Sequence, residues 1–178
     1  MAKKRERRSY LNDFQKDLNG EYQYRGAHYH YDGALEYSKL RRSLWLRCGV
    51  GAALLVIAGC LPGATKGAAA YVTLPYMLAL AVCGCLIWTL ARWTRGGAAL
   101  RAYVYEQTAK RLPGLTLAAG ILSALAAVGQ GIAFLTGSGA NWANIAFFVC
   151  LAGAAALLFR AFVALRRTAY RFTEADEQ

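Results

Sequence analysis

His28, His30 and Asp32 alternate in "AHYHYDG", and two imidazoles with a carboxylate at that spacing can hold a metal ion on an extended segment. On a strand the three would share one face, with Tyr29 and Tyr31 on the other. They include both histidines of the chain, and every cysteine lies in or at the edge of an apolar stretch. With no cysteine to complete a site, the expectation is exposed hairpin residues, with no metal and no other cofactor.

The thiols offer a second chemistry. Cys48, Cys83, Cys85 and Cys150 sit inside apolar runs. Cys83 and Cys85 are about 200° apart around a helix, a spacing that suits neither zinc nor a redox pair. Small apolar packing residues are the expectation. Cys60 closes "LLVIAGC", which resembles the lipid-attachment signal of bacterial lipoproteins. Such signals have a short basic segment and then about 7–15 apolar residues. Here a long, organised segment precedes the apolar run, so an uncleaved helix is expected, with Gly59 and Pro62-Gly63 as stop and turn.

Catalysis has little else to draw on. The apolar spans carry no Asp, Glu, His or Lys, no paired carboxylates, and no Ser/His or Cys/His pair. A proton- or ion-coupled pump usually needs such groups at depth. Ser123 and Gln130 are the notable mid-span polar residues, able to line a path or to join helices. The chain is read as a non-enzyme.

The elements that carry these residues follow from the segregation of charge. The 178 residues are 57% hydrophobic and 17% charged, against about a quarter charged in a soluble domain. Between Cys48 and Ala91 the only charge is Lys66, and between Leu112 and Phe159 there is none. Charge-free runs of this length have lipid as their solvent. The expected spans are 44–61, 71–93, 112–135 and 142–165, forming a four-helix transmembrane domain over 44–165. Residues 1–43 form an N-terminal region and 166–178 a tail. Arg47 and Arg160 lie near span ends, where they can snorkel to headgroups.

Of 21 Lys and Arg, ten precede Ser43, five lie between Arg92 and Arg111, and four lie from Arg160 onward. The excess of positive charge at cytoplasmic loops puts both termini and the middle loop inside. The net charge of +11 is thus an orientation signal. Nucleic-acid binding is not expected, because the basic residues flank spans and are not gathered on one soluble face.

Within the N-terminal region, Lys3 to Arg8 is a basic run suited to anionic lipid. Tyr10, Leu11, Phe14 and Leu18 recur at helical spacing between Ser9 and Gly20, predicting a short amphipathic helix. Tyr22 and Tyr24, then Tyr29 and Tyr31, predict a β-hairpin turning at Arg25-Gly26-Ala27. The middle loop predicts a break at Gly96-Gly97 and a helix from Ala98 to Arg111, with Pro113 just inside span three.

Small residues mark the packing faces. Ala119, Ser123, Ala127 and Gly131 fall four apart in span three, as do Ala146, Cys150 and Ala154 in span four. Between helices in lipid, close approach through small residues supplies the contact. The two halves also share a weak layout, with Arg41-Arg42 and Lys110-Arg111 before each pair of spans, which one topological rule imposes without duplication.

The sequence therefore predicts an all-α integral membrane protein of the bacterial inner membrane, a four-helix bundle with both termini cytoplasmic. Its expected partners are the lipid bilayer and either other membrane subunits or copies of itself. The leading function is an accessory or scaffold subunit of a larger membrane complex. The alternative is a small-solute transporter or channel acting as an oligomer, with Gln130 and Ser123 lining its path.

Overall fold

The computed structural model describes residues 14–16, 22–24, 28–33, 36–61, 70–136 and 141–173. In chain order these form β1 (Phe14–Lys16), β2 (Tyr22–Tyr24), β3 (His28–Tyr31), α1 (Tyr37–Cys60), α2 (Ala70–Arg95), β4 (Ala99–Arg101), α3 (Ala102–Gln107), α4 (Leu112–Leu135), α5 (Trp142–Arg166) and β5 (Tyr170–Thr173).

Four helices of 24, 26, 24 and 25 residues are long and apolar enough to cross a membrane. At 1.5 Å per residue each spans roughly 36–39 Å. Local signals set their ends. Gly97, at φ 75, turns the chain out of α2. Pro113 occupies the first turn of α4, where a missing N–H removes no helical bond. Asn141 is extended ahead of α5, and Leu61 is extended after α1.

The bundle closes as a ring in the order α1, α2, α4, α5. Its broad interfaces are α4 on α5, α2 on α4, and α1 on α5, while α1 meets α2 more sparingly. The two sequential pairs thus pack differently, although they follow the same in-and-out rule. Leu44, Leu55, Leu86, Leu90, Leu151 and Leu158 fill the interior at full burial. The outer surface is equally apolar. Leu46, Leu74, Met77, Trp88, Leu125, Val128 and Val149 all point outward. Only 28–39% of the apolar stretch of each spanning helix is buried within the protein. A belt of that kind around all four helices far exceeds what a soluble monomer exposes, and lipid is the solvent that matches it. The chain is a multi-pass membrane protein.

β3, β4 and β5 form an antiparallel sheet in the order β4-β3-β5. Tyr29 stands opposite Leu100 on one side and Phe172 on the other. The segment before α1, the connection after α2 and the tail after α5 are thereby joined at one end of the bundle, here called the sheet end.

Three expectations change. Tyr22–Tyr24 pairs with Phe14–Lys16, not with Tyr29 and Tyr31, whose strand takes β4 and β5 as neighbours. Phe14–Lys16 is a strand where a helix was predicted; the rest of 9–20 lies outside the described residues, as does the basic run 3–8. The helix predicted from Ala98 to Arg111 is instead strand β4 followed by the six-residue α3. The physical reason is common to all three: short segments with weak propensity adopt whichever conformation their tertiary neighbours complete. α1 also begins at Tyr37, seven residues before the predicted start of span one, because Ser38 to Ser43 continues the helix beyond the apolar run.

Candidate functional site

The sheet end concentrates the polar and aromatic side chains. Period-two alternation sorts β3 into two faces. Its inner face carries Tyr29 and Tyr31 onto the bundle. Tyr29 stacks on Tyr105 of α3 with centroids 4.1 Å apart and planes at 9°. Tyr31 meets Tyr37 of α1 and Tyr170 of β5, each at 5.8 Å. Tyr37 lies 5.2 Å from Trp93, and Tyr105 5.1 Å from Tyr170. Trp93 Nε1 donates to Tyr170 Oη at 2.9 Å. Offset and edge contacts of this type each add about 0.5–1.5 kcal/mol beyond area burial. Five elements are thus locked together by one aromatic cluster. Burial within it raises the Tyr170 phenol well above its ordinary pKa, against a smaller lowering by the bond from Trp93. Tyr37 Oη is shielded from solvent and has no hydrogen-bond partner among the described residues.

The outer face of the sheet is different. His28 stands opposite Arg101 and Thr173, and His30 opposite Ala99 and Arg171. Two imidazoles and two guanidinium groups therefore share a surface. Asp32 follows the strand, exposed, with its N–H bonded to Ala169 O at 3.0 Å. Among the described residues no three of His, Cys, Asp and Glu stand together as a metal site.

Three hydroxyls within the spans, those of Ser123, Thr89 and Thr116, return to their own helices. Ser123 Oγ donates to Ala119 O at 2.8 Å and Thr89 Oγ1 to Cys85 O at 2.7 Å. Thr116 Oγ1 reaches both Leu112 O and Pro113 O. Such back-bonding satisfies a polar group in lipid at the cost of a slight bend. At the opposite end of the bundle, Tyr76 Oη donates to Leu55 O at 2.9 Å, linking α2 to α1.

Ala119, Ser123 and Ala127 are buried on α4, and Gly131 is half-buried beside Phe148. On α5 the buried stripe runs through Ala143, Phe147, Leu151, Ala154 and Leu158, while Ala146 and Cys150 are half-buried. α4 makes its nearest approach at glycines. A β-carbon at Gly129 would lie 3.2 Å from Tyr71 O and from Val72 Cγ2, and one at Gly120 would touch Leu158 and Phe159 at 3.6 Å. Gln130 is 4% exposed and sits in the interior. Cys48 and Cys83 are buried, Cys150 is half-buried, and Cys85 and Cys60 are exposed.

Arg47 is not simply directed to solvent. Its Nη1 donates to Arg160 O at 3.2 Å, across the α1/α5 interface. Sequence position alone makes these arginines two separate snorkelling side chains. Their separation of 113 residues gave no sign of the contact, which needs both helices in place. The sheet was also missed. Its central strand was legible in the alternation of Tyr29 and Tyr31, and the alternation in "YRFT" after the last span is the signal for β5.

Four membrane-length helices closed into a ring, with a small sheet fixed to one end by aromatic side chains, define a multi-pass helical-bundle membrane protein. Comparison with protein families, with curated proteins and with solved structures finds no match.

Proposed function

We propose that this chain is a non-catalytic protein of the bacterial inner membrane, with both termini and the sheet end cytoplasmic, acting as an accessory or scaffold subunit of a larger membrane complex. The observation that supports the reading most is the sheet end itself. Three separate chain segments converge there, and β4 and β5 each have β3 as their only strand neighbour among the described residues. Each therefore presents one edge, and Arg101, Arg171 and Phe172 are exposed around them. Sheet edges and exposed aromatic and Arg side chains suit protein contact. The spans supply stability, with the Thr89, Thr116 and Ser123 hydroxyls bonded within their own helices.

The transporter or channel alternative rests on Gln130 and Ser123. Ser123 has its hydroxyl bonded within α4, which leaves Gln130 as the support for that reading. An intact α1 belongs to the proposal as well: cleavage before Cys60 would remove Leu44, Cys48 and Leu55 from the core.

Affinity purification in mild detergent, followed by mass spectrometry, tests the function. A stable hetero-complex is expected. A pure homo-oligomer would support the alternative, and a monomer without companions would overturn both.

A further inference from the structure

A cavity of about 570 Å³ opens between α1 and α5 near the sheet end. Arg47, Arg160 and Arg167 line it with Ser43 and Thr168, and among the described residues no carboxylate lines it. Its apolar wall includes Phe159 and Val163. Arg160, Arg167 and Val163 are exposed, so the cavity faces the side of the bundle.

We propose that this cavity is a binding site for the headgroup phosphate of an anionic phospholipid. The proposal rests on the membrane orientation given above and goes beyond it. Depth is the first argument. Arg47 lies one helical turn inside the predicted start of span one. Arginine there is costly unless its charge is matched, and it marks a functional position by default. Its described bond to Arg160 O fixes the side chain but occupies one of five N–H donors and offers no negative charge. Charge is the second argument. Three guanidinium groups with no carboxylate among the described lining residues call for an anion, and a phosphodiester takes paired N–H bonds from such a fork. Shape is the third. An acidic peptide would have to leave water to reach this depth, whereas a phospholipid already holds its phosphate at the interface. Its acyl chains can follow Val50, 42% exposed and one turn deeper than Arg47, down the outside of the bundle. Basic pockets between transmembrane helices on the cytoplasmic side are where anionic headgroups bind.

The test uses the full chain in detergent. Native mass spectrometry with added phosphatidylglycerol or phosphatidylcholine should show one retained anionic lipid, with at least tenfold preference over the zwitterionic one. The double variant Arg47→Gln, Arg167→Gln should lose that preference. Arg171→Gln, which removes a charge on the sheet away from the cavity, should keep it. Arg47→Lys should restore part of the binding when combined with wild-type Arg167, which separates charge from folding. Helical circular dichroism of each variant must match the parent, and Arg160→Gln replaces any variant that misfolds. Equal retention of both lipids by the parent, or equal loss in Arg171→Gln, overturns the proposal. So does an Arg47-dependent gain in melting temperature with millimolar inorganic phosphate but no lipid preference, which would mark a soluble-anion site.

Discussion

Trp93 Nε1 donates to Tyr170 Oη at 2.9 Å, joining the end of α2 to the first residue of β5 across 77 positions of sequence. Trp93 is 1% exposed, so its N–H has no recourse to water. The bond anchors β5, and the ladder between β5 and β3 ties β3 to the same anchor.

Tyr170→Phe keeps the ring contacts and removes the acceptor. A buried donor left without a partner costs about 1–3 kcal/mol. Thermal unfolding in detergent should show that loss, with the helical signal unchanged before the transition. No change in melting temperature would mean that the bond contributes nothing.

The same phenol sets an alkaline limit. Burial raises the folded-state pKa of Tyr170 above the unfolded value near 10. The neutral phenol is the form the fold favours. Its contribution is therefore fully present below about pH 10 and is lost as pH rises from there through the folded pKa. Melting temperature should fall above about pH 10 in the parent, and fall less steeply in Tyr170→Phe. Parallel pH profiles would overturn the assignment.

Gly59 in the "LLVIAGC" run touches the other end of the bundle. A β-carbon there would collide with Tyr76 Oη, which bonds to Leu55 O. Gly59→Ala should thus act by displacing that hydroxyl. Tyr76→Phe removes the same bond directly. Each should cost about 1–2 kcal/mol, and the double variant should cost clearly less than the two together. Strict additivity would show that Gly59 acts elsewhere. Intact mass of the same preparations should show residues before Cys60 retained.

Gly129 and Gly114 separate packing from helix propensity. At Gly129 a methyl group would press on the α2 backbone at Tyr71, while at Gly114 it would meet nothing within 4 Å. Overpacking typically costs about 1–3 kcal/mol. Gly129→Ala should lower the melting temperature by that order, whereas Gly114→Ala should be neutral or stabilise by up to about 1 kcal/mol. Equal effects would place the α2/α4 contact elsewhere.

Reporter fusions check orientation. Fusions after Lys66 and Gly139 should report the outside, and those after Gly97 and Gln178 the inside. An inside signal at Gly139 would overturn the proposed topology.

Length, apolarity and charge placement determined the four spans from sequence alone, because each is a local and additive property of a continuous segment. The break at Gly97 and the proline at 113 were legible for the same reason: one residue fixes its own dihedral. Tertiary structure decided the rest. In lipid the outside of a helix is as apolar as the inside, so periodicity does not mark which face turns inward. Phe147 and Leu151 face the core on α5 while Val149 faces out, a division that hydrophobicity does not encode. Strand character at Tyr22–Tyr24 and His28–Tyr31 was legible in the alternating tyrosines, but the pairing of the strands was hidden for a different reason. Segments of three or four residues gain order only when distant partners complete the ladder, and β3, β4 and β5 meet because the closed bundle brings their flanking helix ends together. The Arg47 contact to Arg160 and the cavity beside it arise the same way, from two arginines that sequence places far apart and helix packing sets side by side.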